Sequence, residues 1–370
     1  MNIDFLTKLL SSHSPSGYEK ASTEVFSNEL EKAGANFEFN DSIGNCAYSV
    51  GNGKIPFMLS GHIDQVGLQV QYVDENGFVY FIKDGGVDPK ILPGASVTIL
   101  SKNGPVNGII GKTPIHIEWN SDSKDKALNI KDLKIDIGAS DKKEAMDMIQ
   151  IGNPIAINHP TMFLGNSRIS SGGIDDKIGV FITAEVLKML AQDYEFEKQY
   201  PNIAISEGRC GLKNLKVYGV ACTQEEVGGN GAIIAAKRIN PKYSIDYDVT
   251  FATDDDCVSA KEWGDIKLGK GGCIAHGPDK YAEMCKDVAY VCKKHFIPFQ
   301  EFSVGAGMTN TNKIKISSDD CKTLLLSIPE RNMHTPVEVC DIRDVDSLIN
   351  MTYWYIHELD RKYLSGVNNF

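Results

Sequence analysis

Long hydrophobic runs are missing from this 370-residue sequence: no stretch of about 18 or more apolar residues occurs, which excludes a membrane-spanning helix. Runs of lysine and arginine are also missing, and 49 acidic residues outnumber 38 basic ones. A chain of this charge is a poor partner for nucleic acid or an anionic membrane surface. The first residues lack the basic stretch and apolar stretch of a secretory signal, so we expect a cytoplasmic protein.

Paired cysteines are missing as well. The nine cysteines are an odd number, they are widely spaced, and none forms a C-x-x-C pair. This pattern argues against both a disulfide scaffold and a cysteine-based zinc site. We expect buried, reduced thiols.

The order of the predicted elements indicates two domains. Apolar residues recur at helical spacing within residues 5–10 and 21–30, and strand patterns follow at 45–50 and 55–59. From about residue 69 to residue 159, short β-type runs alternate with Gly, Asn and Asp turns, with one helix near 142–149. The chain therefore changes from an α/β pattern to a mostly β pattern.

The α/β pattern returns after residue 173. A helix is predicted from residue 178, and the later predicted elements are strands at 216–221, 245–252 and 323–328 and a helix at 230–238. The polar, weakly patterned segment 192–213 is interpreted as a surface insertion. We predict one α/β domain, with a mixed sheet flanked by helices, formed by residues 1–68 and 165–370. Residues 69–164 would form an inserted, mostly β domain.

Acidic and histidine side chains lie next to several predicted strands. His62 and Asp64 follow the strand at 55–59 directly, and their i, i+2 spacing puts both on one face of extended chain. The other candidates are Asp175, Asp176, Glu225, Glu226, Asp248 and His334. Ligands gather at the carboxyl ends of strands in an open α/β sheet. Taken singly, the acids have ordinary explanations, as helix caps or solvated loop residues.

Taken together, two histidines and several carboxylates suit divalent ions such as Zn²⁺, Co²⁺ or Mn²⁺. The charges also fit a pair of metals, because three carboxylates and one hydroxide would neutralise two divalent cations. One further carboxylate would remain as a general base.

Five segments carry a resemblance to a known family. They are GHIDQVG, GGIDDKIG, TQEEVGGNGA, DYDVTFA and PERNMHTPVE. In content, order and spacing this set resembles the tetrahedral (TET-type) dinuclear metalloaminopeptidases, which include glutamyl and leucyl aminopeptidases. The resemblance covers nearly the whole chain. The stretches KILPGASVTILSKNGPVNGIIGKTPIH and DLKIDIGASDKKEA resemble parts of the family's inserted β domain.

The resemblance implies a role for each candidate. Asp175 would bridge two metal ions, and the remaining ligands would be His62 and Asp248 for one ion and Glu226 and His334 for the other. Glu225 would be the general base. Asp64 would hold the ring of His62, and Asp176 would cap a helix or support the ligands without being one.

The sequence departs from the family pattern in three places. Gln65 stands where the family usually has glutamate, and Lys177 stands where it usually has arginine. The usual Gly-Thr-Asp-Ala motif is replaced by residues 307–311, Gly-Met-Thr-Asn-Thr. None of these changes affects a predicted ligand. They put the substrate preference in doubt.

The resemblance implies a cytoplasmic aminopeptidase that acts on short peptides with two divalent metals per subunit, Zn²⁺ or Co²⁺, with Mn²⁺ as a further choice. It also implies a homo-oligomer, with dimers formed through the β domain assembling to a dodecamer. Two alternatives stay open: a dinuclear deacylase of N-acyl amino acids, and a catalytically weak relative that forms an assembly. A glycosidase is not supported, because that chemistry needs two carboxylates that flank a bond.

Overall fold

Two β-sheets organise the protein. The computed structural model describes residues 1–118, 128–305 and 309–365. Over these residues the sheets are an 11-stranded mixed sheet and a small closed barrel, and helices flank the larger sheet. The predicted mixed α/β fold is therefore confirmed.

The strands are β1 (Asn36–Asn40), β2 (Cys46–Val50), β3 (Ile55–His62), β4 (Gly67–Val73), β5 (Val79–Asp84), β6 (Ser96–Ser101), β7 (Gly104–Ile110), β8 (Ile135–Asp136), β9 (Pro154–Ile157), β10 (Met162–Leu164), β11 (Arg168–Ser171), β12 (Leu215–Cys222), β13 (Tyr243–Phe251), β14 (Gly272–His276), β15 (Phe299–Ser303), β16 (Lys322–Arg331) and β17 (Glu338–Asp341).

The helices are α1 (Ile3–Ser11), α2 (Lys20–Lys32), α3 (Ile115–Glu118), α4 (Lys142–Met148), α5 (Ile174–Gln199), α6 (Pro201–Glu207), α7 (Asn230–Ile239), α8 (Ala260–Trp263), α9 (Ala282–Lys294), α10 (Asn310–Ser317) and α11 (Ile342–Ser365). In the parts of the chain that the structure describes, every helix is too short or too polar to cross a bilayer.

Four adjacent parallel strands form the centre of the large sheet, in the order β12-β3-β13-β16. Antiparallel strands flank them on both sides, β2 and β1 on one and β17, β11 and β10 on the other. Because the four central strands are parallel, their carboxyl ends lie at the same edge of the sheet. The ends of β3 and β12 are in register, with His62 opposite Cys222.

Helix α5 anchors the core of the large sheet, where it packs on β3 and β13. Its stripe of Ile178, Phe181, Ile182 and Val186 is fully buried, as the helical spacing predicts. Burying a side chain of this kind contributes about 1.5–3 kcal/mol relative to leaving it exposed. The rigid packing matters for function, because the first residues of this helix face the edge where the central strands end.

The barrel has its own core. Its strands close in the order β4-β5-β8-β7-β6-β9, and its interior contains Val70, Phe81, Ile99, Ile135 and Ile155. The barrel strands thus run from Gly67 to Ile157, whereas β10 pairs with β11 in the large sheet. The division of the chain at residues 69 and 164, and the role of this segment in dimer formation, stay predictions.

The segment 192–213 lies mostly at the surface, as expected, but its helical course was not predicted. Helix α5 continues to Gln199 and α6 follows at once, so much of the segment is helical. Asp193 attaches this part of α5 to the rest of the domain: it is fully buried, and its Oδ2 accepts a hydrogen bond of 2.7 Å from the hydroxyl of Tyr353 and lies 3.0 Å from Nε2 of His357. These partners lie on α11, which is distant in sequence, so the local pattern carried no sign of them.

Candidate metal centre

The predicted site residues meet at the edge where the central strands end. His62 is the last residue of β3, Glu225 and Glu226 follow β12, Asp248 lies near the end of β13, and His334 follows β16. All of them line one cavity of about 680 Å³, together with Asp175 from the start of α5. Side chains that are far apart in sequence are thus brought together by the parallel strand order.

Asp175 lies between the two histidines. Its Oδ1 is 3.0 Å from Nε2 of His62, and its Oδ2 is 3.2 Å from Nε2 of His334. Nε2 of His334 is also 3.5 Å from Oε1 of Glu226. One carboxylate therefore presents its two oxygens to two separate nitrogen donors, as a ligand shared by two cations would.

Among the described residues, two groups of side chains have ligand atoms that all lie within 4.8 Å of one another. The first is His62, Asp175 and Asp248, and the second is Asp175, Glu226 and His334. Oε1 of Glu226 is buried and accepts no hydrogen bond from any described residue. A buried acceptor without a partner is costly unless a cation or water satisfies it. The nitrogen and oxygen donors fit a divalent transition metal.

Asp64 supports the site through its carboxylate, which is fully buried. It accepts hydrogen bonds from the hydroxyl of Ser16 at 2.6 Å and from the backbone N–H groups of Glu225 at 3.0 Å and Glu226 at 3.2 Å. Nδ1 of His62 lies 3.0 Å from the backbone oxygen of Asp64 and 3.5 Å from its carboxylate. The backbone thus makes the shorter contact with the ring, while the carboxylate fixes the loop after β12.

Asp176 lies behind the site. Its carboxylate accepts the N–H groups of His62 and Gly179, each at 3.1 Å, so it caps the first turn of α5 and holds the end of β3. It belongs to neither group of ligand atoms. A Cβ on Gly61 would lie 2.6 Å from the backbone of Gly179 and Val180 and 2.8 Å from this carboxylate, which explains why glycine precedes His62.

Glu338 is a supporting residue that sequence reasoning missed. Its buried carboxylate accepts the N–H of His334 at 3.0 Å, of Ile174 at 2.7 Å and of Asp175 at 3.3 Å. One side chain thereby fixes the backbone of two candidate ligands. His334 has a φ of 60°, a strained conformation for a residue other than glycine, which the bond to Glu338 helps to hold. Its only sequence signal was its place as the last residue of the segment PERNMHTPVE.

Burial and neighbouring charges shift the protonation of the site. Burial acts to lower the pKa of His62, but hydrogen bonds to Asp175 and Asp64 outweigh it and raise the pKa well above its usual value. The hydrogen bond to Asp175 raises the pKa of His334 to about 9. Burial raises the pKa of Glu225, and raises that of Glu226 to about 8. Protons therefore compete with a metal ion for these side chains.

Two of the departures noted in the sequence contact each other. Lys177 is fully buried, and its Nζ donates hydrogen bonds to the side-chain oxygen of Gln65 and to the backbone oxygen of Ser12. Burial lowers the pKa of Lys177 to about 7.

The third departure lies at the start of α10. Thr309 caps this helix, accepting the N–H of Thr311 at 3.2 Å, and the hydroxyl of Thr311 donates to Asp246 at 3.3 Å. Gly307 and Met308 lie outside the described residues.

Comparison with known proteins agrees with this geometry. The family model described as M42 glutamyl aminopeptidase matches residues 44–351. The chain belongs to this family. M42 peptidases are metal-dependent, so the protein is a metal-dependent aminopeptidase, and the predicted enzyme class is confirmed.

Several relatives of this M42 aminopeptidase match over nearly their whole length. The lysyl aminopeptidase of Pyrococcus furiosus is 28% identical over 360 residues, which cover 96% of this chain and 97% of the relative. A TET aminopeptidase structure from a marine sediment archaeon, Thaumarchaeota archaeon SCGC AB-539-E09, has a TM-score of 0.86 at 26% identity and covers 98% of both chains.

The TET1 peptidase of Pyrococcus horikoshii, whose structure has a TM-score of 0.80 at 28% identity, covers 95% of this chain and 98% of its own. That peptidase can assemble into a tetrahedron or a large octahedral shell.

Proposed function

We propose that this M42 aminopeptidase holds two divalent metal ions and removes N-terminal residues from short peptides. His62, Asp175 and Asp248 would hold one ion, and Asp175, Glu226 and His334 would hold the other. The position of Asp175, with one oxygen 3.0 Å from His62 and the other 3.2 Å from His334, is the observation that carries this proposal. A carboxylate with a histidine at each oxygen suits two ions, because each ion then has its own nitrogen ligand.

The donor set also suggests which metals bind. Imidazole and carboxylate ligands suit Zn²⁺ or Co²⁺, and Mn²⁺ is a further choice. The four proposed ligands other than the bridge divide evenly, with one histidine and one carboxylate for each ion. When bound, such a pair of ions activates water and polarises the peptide carbonyl.

Glu225 is the proposed general base. It lines the cavity but belongs to neither ligand group. Its backbone N–H is bound to Asp64, so the loop holds it at a fixed position beside Glu226, and burial raises its pKa. A base whose pKa lies closer to neutrality transfers protons more efficiently in both directions. Glu225 would take a proton from the attacking water and deliver it to the leaving amine.

A free N-terminal amine separates this proposal from the deacylase alternative. The relative from Pyrococcus furiosus is a lysyl aminopeptidase, which supports peptides with a free amine as substrates. The same ligands and base would serve a deacylase, so matched substrates with free and acetylated amines distinguish the two. Hydrolysis of the acetylated substrate alone would favour the deacylase.

We also propose that dimers formed through the barrel assemble to a dodecamer. A dodecamer of a related TET1 peptidase has been crystallised, with 28% identity and a TM-score of 0.81. Light scattering should then give a mass near twelve times 40.6 kDa. A fully active monomer would contradict this assembly. We place the enzyme in the cytoplasm, which its free cysteines support.

Metal removal and return test the proposed centre. A strong chelator should abolish hydrolysis of an aminoacyl substrate, and Zn²⁺ or Co²⁺ should restore it. Elemental analysis of the restored enzyme should give two ions per chain. Full activity in a sample verified as metal-free would overturn the proposal, and a single ion at full activity would overturn the dinuclear form.

A further inference from the structure

The cavity that contains the candidate metal centre extends well beyond it. Its volume of about 680 Å³ leaves room for substrate side chains next to the ligands. The additional walls come from the ends of β13 and β15, from α8, and from the barrel segment that includes Asp88 and Ile91. A side chain attached to the reacting amide would therefore contact residues that take no part in the chemistry.

One wall of this extension is apolar. Phe251 and Trp263 meet edge to face, with ring centroids 4.6 Å apart. Phe302 and Leu325 continue the wall and are themselves packed in a small buried cluster. This wall suits a long aliphatic stem, and the aromatic faces also attract cations.

The charged side chains that line the extension are all negative. Apart from the proposed ligands and base, the charged residues among the described lining are Asp88 and Glu262, with no lysine or arginine. Asp88 uses one oxygen to accept the N–H of Lys90 at 3.0 Å. Glu262 directly precedes Trp263 of the apolar wall. Its carboxylate makes no hydrogen bond or ion pair with any described residue.

We propose that Glu262, assisted by Asp88, selects substrates whose N-terminal residue has a long cationic side chain, such as lysine or arginine. This inference rests on the proposed aminopeptidase function and names its substrate class. The aliphatic stem packs against Phe251 and Trp263, and the terminal charge meets the carboxylate of Glu262. An acidic N-terminal side chain is rejected, because in the extension it would meet two carboxylates and no lysine or arginine.

Lysine and norleucine substrates isolate the contribution of charge, because the two side chains share the same stem. The wild-type enzyme, loaded with metal, should show a higher kcat/KM for a lysyl than for a norleucyl chromogenic substrate. Glu262→Gln should lower the lysyl-to-norleucyl ratio about fivefold, the value of an ion pair at the upper end of the range for exposed sites. Adding Asp88→Asn should lower the ratio further.

Glu283→Gln is the matched control, because Glu283 is an exposed acid at the start of α9 that does not line the cavity. It should leave the ratio at the wild-type value. Turnover of the norleucyl substrate tests the aminopeptidase function independently. If that turnover is normal while the ratio is the same in the wild type and the double variant, the specificity assigned to Glu262 is overturned and the aminopeptidase function is not. A wild-type preference for a glutamyl substrate over a lysyl one would overturn it as well.

Discussion

Lys177 donates a hydrogen bond from its ammonium group to the side-chain oxygen of Gln65, although the two residues are 112 positions apart in the sequence. Both are buried, and Lys177 directly follows the acid pair at the start of α5. The two departures from the family pattern are therefore one structural change. The glutamate and arginine that are usual in the family would be expected to form a pair of opposite charges. In this protein the buried Lys177 faces a neutral acceptor, Gln65.

Restoring the negative charge should stabilise the protein more at about pH 7 than at about pH 10. Burial lowers the pKa of Lys177 to about 7, far below its value in an unfolded chain. In Gln65→Glu the new carboxylate should keep Lys177 protonated in the folded state. Between about pH 7 and pH 10 the folded variant then holds one proton more than the folded wild type. The stability advantage of the variant should fall with rising pH by at most about 1.4 kcal/mol per unit.

Guanidinium denaturation of the two metal-free proteins at equal concentration measures this difference. Gln150→Glu, a change at an exposed position in the barrel segment, is a suitable control and should show no such trend. An advantage for Gln65→Glu that grows as the pH rises would contradict the pairing.

Replacing Glu338 should weaken metal binding without removing a ligand. Its carboxylate accepts the N–H groups of both Asp175 and His334, and the amide of Glu338→Gln presents a donor where one oxygen stood. Loss of such an orienting contact typically costs 10–100-fold in metal affinity. Competition with a chelator of known affinity measures the effect, with Glu283→Gln as control. Unchanged affinity in Glu338→Gln would show that the ligands hold their positions unaided.

Replacing each of the adjacent glutamates by glutamine should have a different effect, on kcat for Glu225 and on metal content for Glu226. Glu225→Gln should lose roughly 10²–10⁴-fold in kcat and retain its metal, because it removes a base that is not a proposed ligand. Glu226→Gln should instead lose metal, since Oε1 of Glu226 lies 3.5 Å from Nε2 of His334 in the second ligand group. Metal content and kcat are measured on the same samples. Metal loss in the first variant alone would reverse the two assignments.

Metal affinity should rise with pH in the neutral range. The pKa of His334 is raised to about 9, so this ring carries a proton at pH 7, and the hydrogen bonds to Asp175 and Asp64 shift the pKa of His62 in the same direction. Since a metal binds only neutral imidazole, binding must release protons. The apparent affinity should increase about tenfold per pH unit for each proton released, between about pH 6 and pH 8.

Titration of Zn²⁺ into a weakly buffered solution with a pH indicator counts these protons. In His334→Ala the count should fall by about one. An affinity that does not change across this pH range would contradict the protonated state of the rings.

Gly86→Ala should disturb the second ligand group from the barrel side. A Cβ at this position would lie 2.5 Å from Nδ1 of His334, too close for the ring to keep its place. We expect at least a tenfold loss of kcat and loss of one ion per chain. Gly111→Ala is the matched control, because a Cβ there meets no heavy atom within 4 Å. Normal metal content and rate in Gly86→Ala would show that His334 adapts freely.

Sequence alone predicted the fold class and identified six of the residues that meet at the candidate site, His62, Asp175, Glu225, Glu226, Asp248 and His334. It succeeded because strand-end acids and histidines fall at the same edge once the strands are parallel, and because the five motifs occur in family order. It missed Glu338 and the contact between Lys177 and Gln65, since both depend on tertiary approach. The helical course of the chain around Asp193 was missed for the same reason, because its partners Tyr353 and His357 lie on a helix near the end of the described chain.

Nδ1 of His334 lies 3.3 Å from the backbone oxygen of Gly86, and this contact joins the barrel segment to the candidate metal centre. The barrel is therefore not a freely exchangeable module. A chimaera that takes its barrel from another aminopeptidase must reproduce the backbone at Gly86 to keep this contact with the ring of His334. A barrel mutation that shifts this carbonyl group therefore reaches the candidate metal centre through one contact.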